Sequence, residues 1–511
     1  MPRVSHAAFS FGGTMEHSTI AAVDLGSNSF RLQVARVVDD QIYPLDTLKD
    51  PVRLGAGLTE DEWLTEEAQQ RALACLRRFG ERLRGLPREA VRVVGTNTLR
   101  VARNSATLIP QLEEALGGFP IEIIAGREEA RLIYLGAAHS LPASKEKRMV
   151  VDIGGGSTEF IIGQQLKPQK TESLYMGCVS YTLRYFPDGK ITEKAIQAAE
   201  TAARIELQSI AHEFFAGNWQ QAVGTSGTAR SLQDICELND FSTGGLTFEG
   251  MEKIRELLLK QGNIPHLKIN GLRPDRAPVI AGGFAIMSAI FSELGIRNMT
   301  SASGALREGV MWDLIGRHHH RDMRDVTVAQ FKRRYHIDSA QAERVEQLAQ
   351  QLFAQIKPQT IPASEFDAQL ISWAAALHEI GLSVSHTGYH KHSAYILQYA
   401  DMPGFSKPEQ LHLSRLAAAH RGNLAKQLEI GSRQEWSRII ALRLAVLFNR
   451  SRSKSEPPAM QLQASEQGFV LTICPQWLEA HPLTATALKQ EASFWHSVGL
   501  ALEVRDETAR S

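Results

Sequence analysis

The stretch "AAVDLGSNSFRLQVARV", Ala21–Val37, starts as a buried strand and then breaks its own pattern. Apolar residues run from Ile20 to Val23, give way to Asp24, and continue into Leu25, Gly26 and the small polar run Ser27-Asn28-Ser29 before Phe30 resumes the apolar series. A carboxylate at the end of a core strand projects into the crevice where α/β folds bind ligands. Glycine beside it lets backbone N–H groups converge on one anion. The same design returns at "MVVDIGGGSTEFIIG", Met149–Gly163, in which Asp152 is followed by Gly154, Gly155, Gly156, Ser157 and Thr158. Either loop alone reads as a structural turn. The pair predicts two loops gripping a phosphate from both sides, with Asp24 and Asp152 free to hold Mg²⁺.

A chain of 511 residues exceeds what one hydrophobic core organises, so two to four domains are expected. Acidic and basic residues balance at 56 each, so net charge gives no reason to expect nucleic acid, and any positive field is local. Cys75, Cys178, Cys236 and Cys474 are scattered without a CxxC pair, which fits a reducing compartment and argues against a disulfide framework. No uninterrupted apolar run approaches the roughly 20 residues of a membrane span. The first 19 residues lack the long apolar segment of a signal peptide and read as a disordered tail, with Met15 an alternative start. A cytoplasmic location follows as the expectation, with peripheral association at a membrane surface left open.

From Ile20 to about Arg317, short β-branched runs alternate with amphipathic stretches such as Glu66–Arg84, Ala106–Leu116 and Glu193–Phe214, which indicates α/β architecture. Strands at 20–25 and 31–38 sit too close for a helical crossover, so a tight hairpin heads the unit. Beyond Arg317 the strand signal fades into helical periodicity over 325–355, 366–382, 390–400 and 407–428. A polar, proline-containing segment, "NRSRSKSEPPAMQ" (Asn449–Gln461), precedes two short strands and a last helix near Pro482–Gly499.

Three further stretches bear on the crevice. "VGTSGTARS" (Val223–Ser231) repeats the strand-then-small-polar character and offers Ser226, Gly227 and Thr228 to a phosphate. "VVGTNTLRVARN" (Val93–Asn104) ends a strand and presents Arg100, whose guanidinium suits bidentate phosphate recognition unless it serves a surface ion pair. "SASGALREGV" (Ser301–Val310) is a glycine-containing approach to a helix.

Together "AAVDLGSNSF", "VVGTNTLR", "IIAGREEARLIY", "VVDIGGGSTE", "MGCVSYT", "GTSGTAR" and "SGALREGV" resemble the exopolyphosphatase/guanosine pentaphosphate phosphohydrolase family of the actin-like superfamily. The likeness continues through "LHEIGLSVSHTGYHKHSAYIL" and "DMPGF". The resemblance implies two actin-like (ribonuclease H-like) α/β domains over residues 20–132 and 133–317. It adds a helical HD-like domain over 318–445 and a small α+β domain over 446–511. In "AGREEARLIY", Ala125–Tyr134, it makes Glu129 the base that orients water for attack on a phosphoanhydride. Adjacent helix residues point about 100° apart, so Glu128 and Glu129 cannot both serve. The resemblance adds Glu159 to Asp24 and Asp152 as metal-side carboxylates, places Cys178 near the phosphate as a packing contact rather than a nucleophile, and gives Arg276 a place against a chain substrate. It implies Mg²⁺, leaves room for a monovalent cation such as K⁺, and suggests a homodimer.

The pair His378-Glu379 departs from the His-Asp of metal-dependent HD enzymes, so His378 reads as a hydrogen-bonded core residue. His386, His390, His392 and Lys391 are expected on an interdomain surface attractive to anions. "GRHHHRDMRD" and "FKRRYH" are expected to be solvated, or to line a path for polyphosphate. The expected activity is Mg²⁺-dependent hydrolysis of terminal phosphate from inorganic polyphosphate. Its rivals are hydrolysis of guanosine pentaphosphate, an actin-like kinase, and a non-catalytic phosphate binder.

Overall fold

The computed structural model describes residues 19–38, 41–318, 322–356, 365–426, 432–452 and 457–506; the tail expected over residues 1–19 falls outside them except for Thr19. The chain forms two compact units, Met1–Met323 and Arg324–Ser511.

The first unit contains one motif built twice. Strands β1 (Thr19–Leu25), β2 (Phe30–Val38) and β3 (Gln41–Asp50) form an antiparallel meander. Helix α1 (Glu66–Leu83) leads to β4 (Val91–Gly95), which lies parallel to β1, and helices α2 (Asn97–Val101) and α3 (Ser105–Ala115) lead to β5 (Ile121–Ile123). The sheet order is β3-β2-β1-β4-β5. Helix α4 (Gly126–Ser140) follows. The pattern then recurs with β6 (Lys147–Ile153), β7 (Thr158–Gln164) and β8 (Lys167–Leu174) as the meander. Helices α5 (Cys178–Tyr185), α6 (Glu193–Leu207) and α7 (Ala211–Phe214) precede β9 (Gln221–Thr225), parallel to β6. Next come α8 (Ser226–Leu238), the two-residue β10 (Leu246–Thr247), α9 (Phe248–Gln261), α10 (Ile280–Leu294) and β11 (Asn298–Ser301), and α11 (Leu306–His318) ends the unit. The second sheet runs β8-β7-β6-β9-β11-β10, so its first five strands repeat the first sheet's connectivity.

The two repeated loops are therefore hairpin turns. Leu25 pairs with Phe30 and Ile153 with Thr158, so residues 26–29 and 154–157 occupy equivalent places. The register also sets Asp24 opposite Arg31 and Asp152 opposite Glu159.

The two halves exchange helices. α4 follows the first sheet but packs on β7 and β8 of the second; α11 follows the second sheet but packs on β1 and β4 of the first. One apolar cluster contains Ile20, Ala22 and Val94 from one sheet, Val150, Ile161 and Val223 from the other, and the inner faces of both helices. The domain division expected at 132/133 thus falls inside the continuous helix α4, and the one at 317/318 within the last turn of α11. Helix α10 with its lead-in, Ala277–Leu294, is long and apolar enough for a membrane span by composition, which the reading of apolar runs overlooked; 78% of it is buried in the core around β6 and α6.

The second unit carries α12 (Met323–Arg334), α13 (Ser339–Ile356), α14 (Glu365–Leu377), α15 (Tyr389–Tyr399), α16 (Lys407–Ala419) and α17 (Arg433–Phe448). After them come β12 (Met460–Ser465), β13 (Gly468–Ile473), α18 (Pro475–Ala480), α19 (Pro482–His496) and β14 (Ala501–Asp506), the three strands ordered β12-β13-β14. The helical and C-terminal parts share one core, in which Leu352, Leu377 and Leu444 meet Leu462, Leu471 and Trp495. The expected boundary at 445/446 lies within α17.

The α4–α11 crossing is close because it is made of glycines. A Cβ on Gly309 would lie 1.8 Å from the Leu132 carbonyl oxygen, and one on Gly136 would lie 2.0 Å from that of Ala305. Backbone cannot yield as a side-chain tip can. Gly309→Ala is expected to destabilise the first unit by about 1–3 kcal/mol, read as a lower urea midpoint of its transition.

Candidate active site

Glu128 and Glu129 open α4, and the structure separates them. Glu128 turns into a buried network: Arg131 Nε and Nη2 each donate to its carboxylate at 2.8 Å, and Arg131 Nη2 donates to Asp313 Oδ1 at 2.5 Å. Arg92 of β4 donates to Asp313 Oδ2 at 2.6 Å, and Arg317 adds a bond of 3.2 Å. Burial alone would raise Asp313; the guanidiniums of Arg131, Arg92 and Arg317 overcome it and hold the acid well below the usual carboxylate range. Glu129 faces the crevice instead. Burial pushes its carboxyl up to about 7 against the pull of Arg100, with Asp24 and Asp152 adding to the rise. Arg100 donates to the Ile124 carbonyl oxygen at 2.7 Å and sits 3.4 Å from Glu129 Oε2, so the guanidinium serves an acid inside the crevice rather than a surface pair.

The same electrostatic neighbourhood includes every predicted carboxylate. Burial takes Asp24 up to about 6, opposed by Arg31 and Arg307 and reinforced by Asp152, and its Oδ1 is buried without a hydrogen-bond partner. Glu159 is raised well above its ordinary value by burial, then by Glu129 and Asp152, while the hydroxyls of Ser157 and Ser173 hydrogen-bond to it; Ser173 Oγ lies 2.9 Å from Oε1. Asp152 accepts at Oδ2 from Thr225 Oγ1 at 2.7 Å and from Ser226 Oγ at 2.6 Å. Ser226 holds φ at 63°, in the left-handed region a non-glycine residue adopts at a cost. The strain turns its hydroxyl onto Asp152 just as α8 begins.

The hairpin turns meet across the crevice. A Cβ on Gly155 would lie 2.8 Å from Ser27 Cβ and 3.1 Å from the Asn28 nitrogen, and one on Gly156 would lie 2.4 Å from Asn97 Oδ1. Ser27 Oγ accepts from Thr98 Oγ1 at 2.7 Å, and the carbonyls of Ser27 and Asn28 accept from the Gly55 and Arg53 amides at 2.8 and 2.9 Å. The second turn is pinned by Cys178 N to Gly154 O and Val179 N to Gly155 O, both 2.9 Å. Thus Ser27 and Asn28 of the first turn, with Asn97, meet Gly155 and Gly156 of the second across the crevice.

Other predicted positions divide. Thr158 is fully buried and its hydroxyl donates to the Met176 carbonyl at 2.6 Å, so the structure gives it a bond within the fold instead of an open donor. Cys178 is buried and its thiol is pushed up by that burial, which suits packing and not nucleophilic attack. Its Cβ packs near Gly283, where Thr228 also packs. Arg276 is buried against Gly227: a Cβ there would fall 2.0 Å from the guanidinium carbon. Its Nε has no hydrogen-bond partner and stands 3.8 Å from Asp275.

Sequence reasoning missed a cationic border. Burial lowers Arg276 and Arg230, and Arg31 and Arg273 lower both further, so these guanidiniums sit close enough to repel one another. Lys49 is likewise lowered by burial and by Arg276 and Arg31. Arg31, Arg230 and Arg307 were within motifs already singled out, but nothing in local spacing marked them; only the hairpin register, which sets Arg31 beside Asp24, could have raised the first.

The donor set suits a divalent cation of the Mg²⁺ type. Such an ion takes one or two carboxylates, waters and substrate oxygens rather than a full protein cage. Asp24 with its unpartnered Oδ1 and Asp152 with one oxygen left free match that demand. Among the described residues, no three His, Cys, Asp or Glu converge into a closed metal cage.

A family model described as the Ppx/GppA phosphatase family matches residues 33–318, and one for its domain III matches residues 323–492. The chain belongs to the Ppx/GppA phosphatase family. Ppx/GppA membership makes it a hydrolase of the phosphatase class and accounts for the actin-like architecture of the repeated halves. Among solved structures the chain is similar to an exopolyphosphatase-like protein, at 26% identity and a TM-score of 0.53 over 58% of this chain and 97% of that one. It is also similar in fold to an exopolyphosphatase from Cytophaga hutchinsonii, at 24% identity and a TM-score of 0.52 over 58% of this chain and 98% of that one.

The raised carboxyl of Glu129 has a thermodynamic consequence. Its ordinary value is 4.5 and its value in the crevice about 7, so the folded state binds the proton more tightly than the unfolded one. Its contribution is fully present below pH 4.5 and is lost as pH rises through 7. In protein stripped of divalent ions, Glu129→Gln should therefore be more stable than wild type at pH 8, on the order of 1–3 kcal/mol, and the difference should close near pH 4.5. Urea titration at both pH values checks this.

Proposed function

We propose that the protein is an exopolyphosphatase that hydrolyses the terminal phosphoanhydride of inorganic polyphosphate and releases orthophosphate. The observation that carries this reading is the division of labour at the head of α4: Glu128 is consumed by Arg131, while Glu129 is poised, with a carboxyl near neutrality, beside Asp24 and Asp152. A carboxylate with that affinity can accept a proton from an attacking water at physiological pH. The turns at 26–29 and 154–157 present backbone N–H groups and small hydroxyls to the terminal phosphoryl group, where charge must be stabilised as the bond breaks. Asp24 and Asp152 would hold Mg²⁺, which when bound neutralises phosphate charge and orients the anhydride.

The border of Arg31, Lys49, Arg230, Arg273 and Arg276 supports a polyphosphate substrate over a nucleotide. Several cations repel each other at the crevice, and Arg276 is buried with an unpartnered Nε. A long polyanion relieves that repulsion at many points at once. Guanosine pentaphosphate would use the same base with a nucleoside on the leaving side. A homodimer acting in the cytoplasm is part of the proposal, as is Mg²⁺; a K⁺ requirement would be an addition to it.

Phosphate release should be Mg²⁺-dependent, should need no acceptor, and should be faster from long polyphosphate than from guanosine pentaphosphate. A preference for the nucleotide would move the protein to the other branch, and a requirement for an acceptor would make it a kinase. Glu129→Gln should lower kcat by about 10²–10⁴-fold while leaving substrate affinity near wild type. Wild-type turnover in that variant would remove Glu129 from the reaction.

A further inference from the structure

The second unit contains a cavity of about 450 Å³ that the phosphatase chemistry does not use. It opens between the turn after α14, the end of α16, the C-terminal half of α17 and one face of α19, and is lined by Arg421, Arg443, Arg450, Arg452, Glu379 and Glu491. The volume is within the range of small-molecule sites.

In the pair His378-Glu379 the acid is engaged by a guanidinium. Glu379 accepts from Arg452 Nη2 at 2.5 Å, and Arg452 also reaches Asp338 at 3.0 Å. His378 Nδ1 lies 2.7 Å from the Ala375 carbonyl oxygen, as expected of a core histidine, and its Nε2 is unpartnered. His420 has both ring nitrogens engaged, Nδ1 at 2.6 Å from the Ala417 carbonyl and Nε2 at 3.3 Å from the Tyr389 hydroxyl. Burial lowers both His378 and His420, and the fixed positive charge of the cavity wall is that of its arginines.

Those arginines differ in what holds them. Arg443 is satisfied by Glu491, with Nη2 at 2.8 Å from Oε2, and by the Ala419 and Gly422 carbonyls. Arg452 is satisfied by Glu379 and Asp338. Among the described residues, Arg421 and Arg450 have no carboxylate partner. Arg421 stacks over Tyr389, 4.8 Å from the ring centroid, which fixes its plane without neutralising it. Arg443 thus meets Glu491 and Arg452 meets both Glu379 and Asp338, while Arg421 and Arg450 stand as two guanidiniums without a carboxylate around a cavity whose remaining wall includes Leu382, Val446 and Phe494.

We infer that this cavity is a second, non-catalytic binding site for a phosphate monoester of nucleoside size. A phosphomonoester carries about −1.5 to −2 charge at neutral pH, which two guanidiniums without carboxylate partners can meet. Arg421 and Arg450 supply planar donors suited to its oxygens, and the apolar wall beside Phe494 accepts a flat ring. The inference stands apart from the crevice chemistry of the first unit, and either can fail without the other.

The test uses the full chain, with adenosine monophosphate, adenosine and inorganic phosphate as probes, followed by titration calorimetry and hydrogen exchange. Adenosine monophosphate is expected to bind and to protect amides around 420–422 and 443–450. Adenosine should bind at least tenfold more weakly, and the double variant Arg421→Ala/Arg450→Ala should lose at least tenfold in affinity. Inorganic phosphate protecting the same amides with equal affinity would keep the anion site and identify free phosphate as its source, overturning the nucleoside part. Absence of protection by either phosphate in the wild type, or unchanged affinity in the double variant, overturns the site. The wild-type protection pattern decides the matter even if the variant does not fold.

Discussion

Four carboxyl groups gathered in one poorly hydrated crevice repel each other, and much of the surrounding architecture is arranged around that repulsion. Asp24, Glu129 and Glu159 are each placed where another carboxyl of the four raises the cost of ionisation. Hydroxyl groups from Thr225, Ser226, Ser157 and Ser173 surround the second aspartate and Glu159, and Arg100 leans on Glu129. Even the strained backbone at Ser226 belongs to this arrangement, since it aims a donor at Asp152. Concentrated negative charge of this kind lies against the cationic border of Arg31, Arg230, Arg273 and Arg276.

The exchange of α4 and α11 between the halves explains how such a crevice is held in shape. Glu129 is presented by a helix that leaves the first sheet and anchors on the second. Its neighbour Glu128 ties that helix through Arg131 and Asp313 to α11, and Arg92 carries the tie onward to β4. A buried ionic network of this type contributes little net stability for the desolvation it demands. Its value is directional: it fixes which of two adjacent acids turns toward the crevice.

Much of this was legible in the sequence because the signals were local. Asp24 and Asp152 end strands, small polar turns follow them, and the hairpin spacing of 20–25 and 31–38 is read directly from chain length. The α/β pattern of the first unit and the helical pattern of the second emerge from periodicity. What was not legible depends on contacts across the chain. Strand β3 is mostly exposed and carries a proline, so it lacks the apolar alternation that marks a strand. The crossing of α4 and α11 involves Gly136 and Gly309, each unremarkable in its own helix. Thr158 looked like an open donor until its strand partner set Met176 beside it, and Arg324, within a run expected to be solvated, instead pairs with Glu409 and stacks on Trp373. Part of that run, residues 319–321, lies outside the described residues. In the second unit the two strands before the last helix were read from the sequence, whereas β14 was not, because its parallel pairing with β13 is a contact made only after α18 and α19 have intervened.

The register of the two hairpins shows how an internal duplication became specialised. At one structural position, opposite the strand-ending aspartate, the first copy carries Arg31 and the second carries Glu159. Arg31 across the ladder thereby opposes the rise that burial imposes on the first aspartate, whereas the second has a carboxyl across from it. The symmetry of the backbone is thus broken, at this position of the ladder, by an exchange of sign.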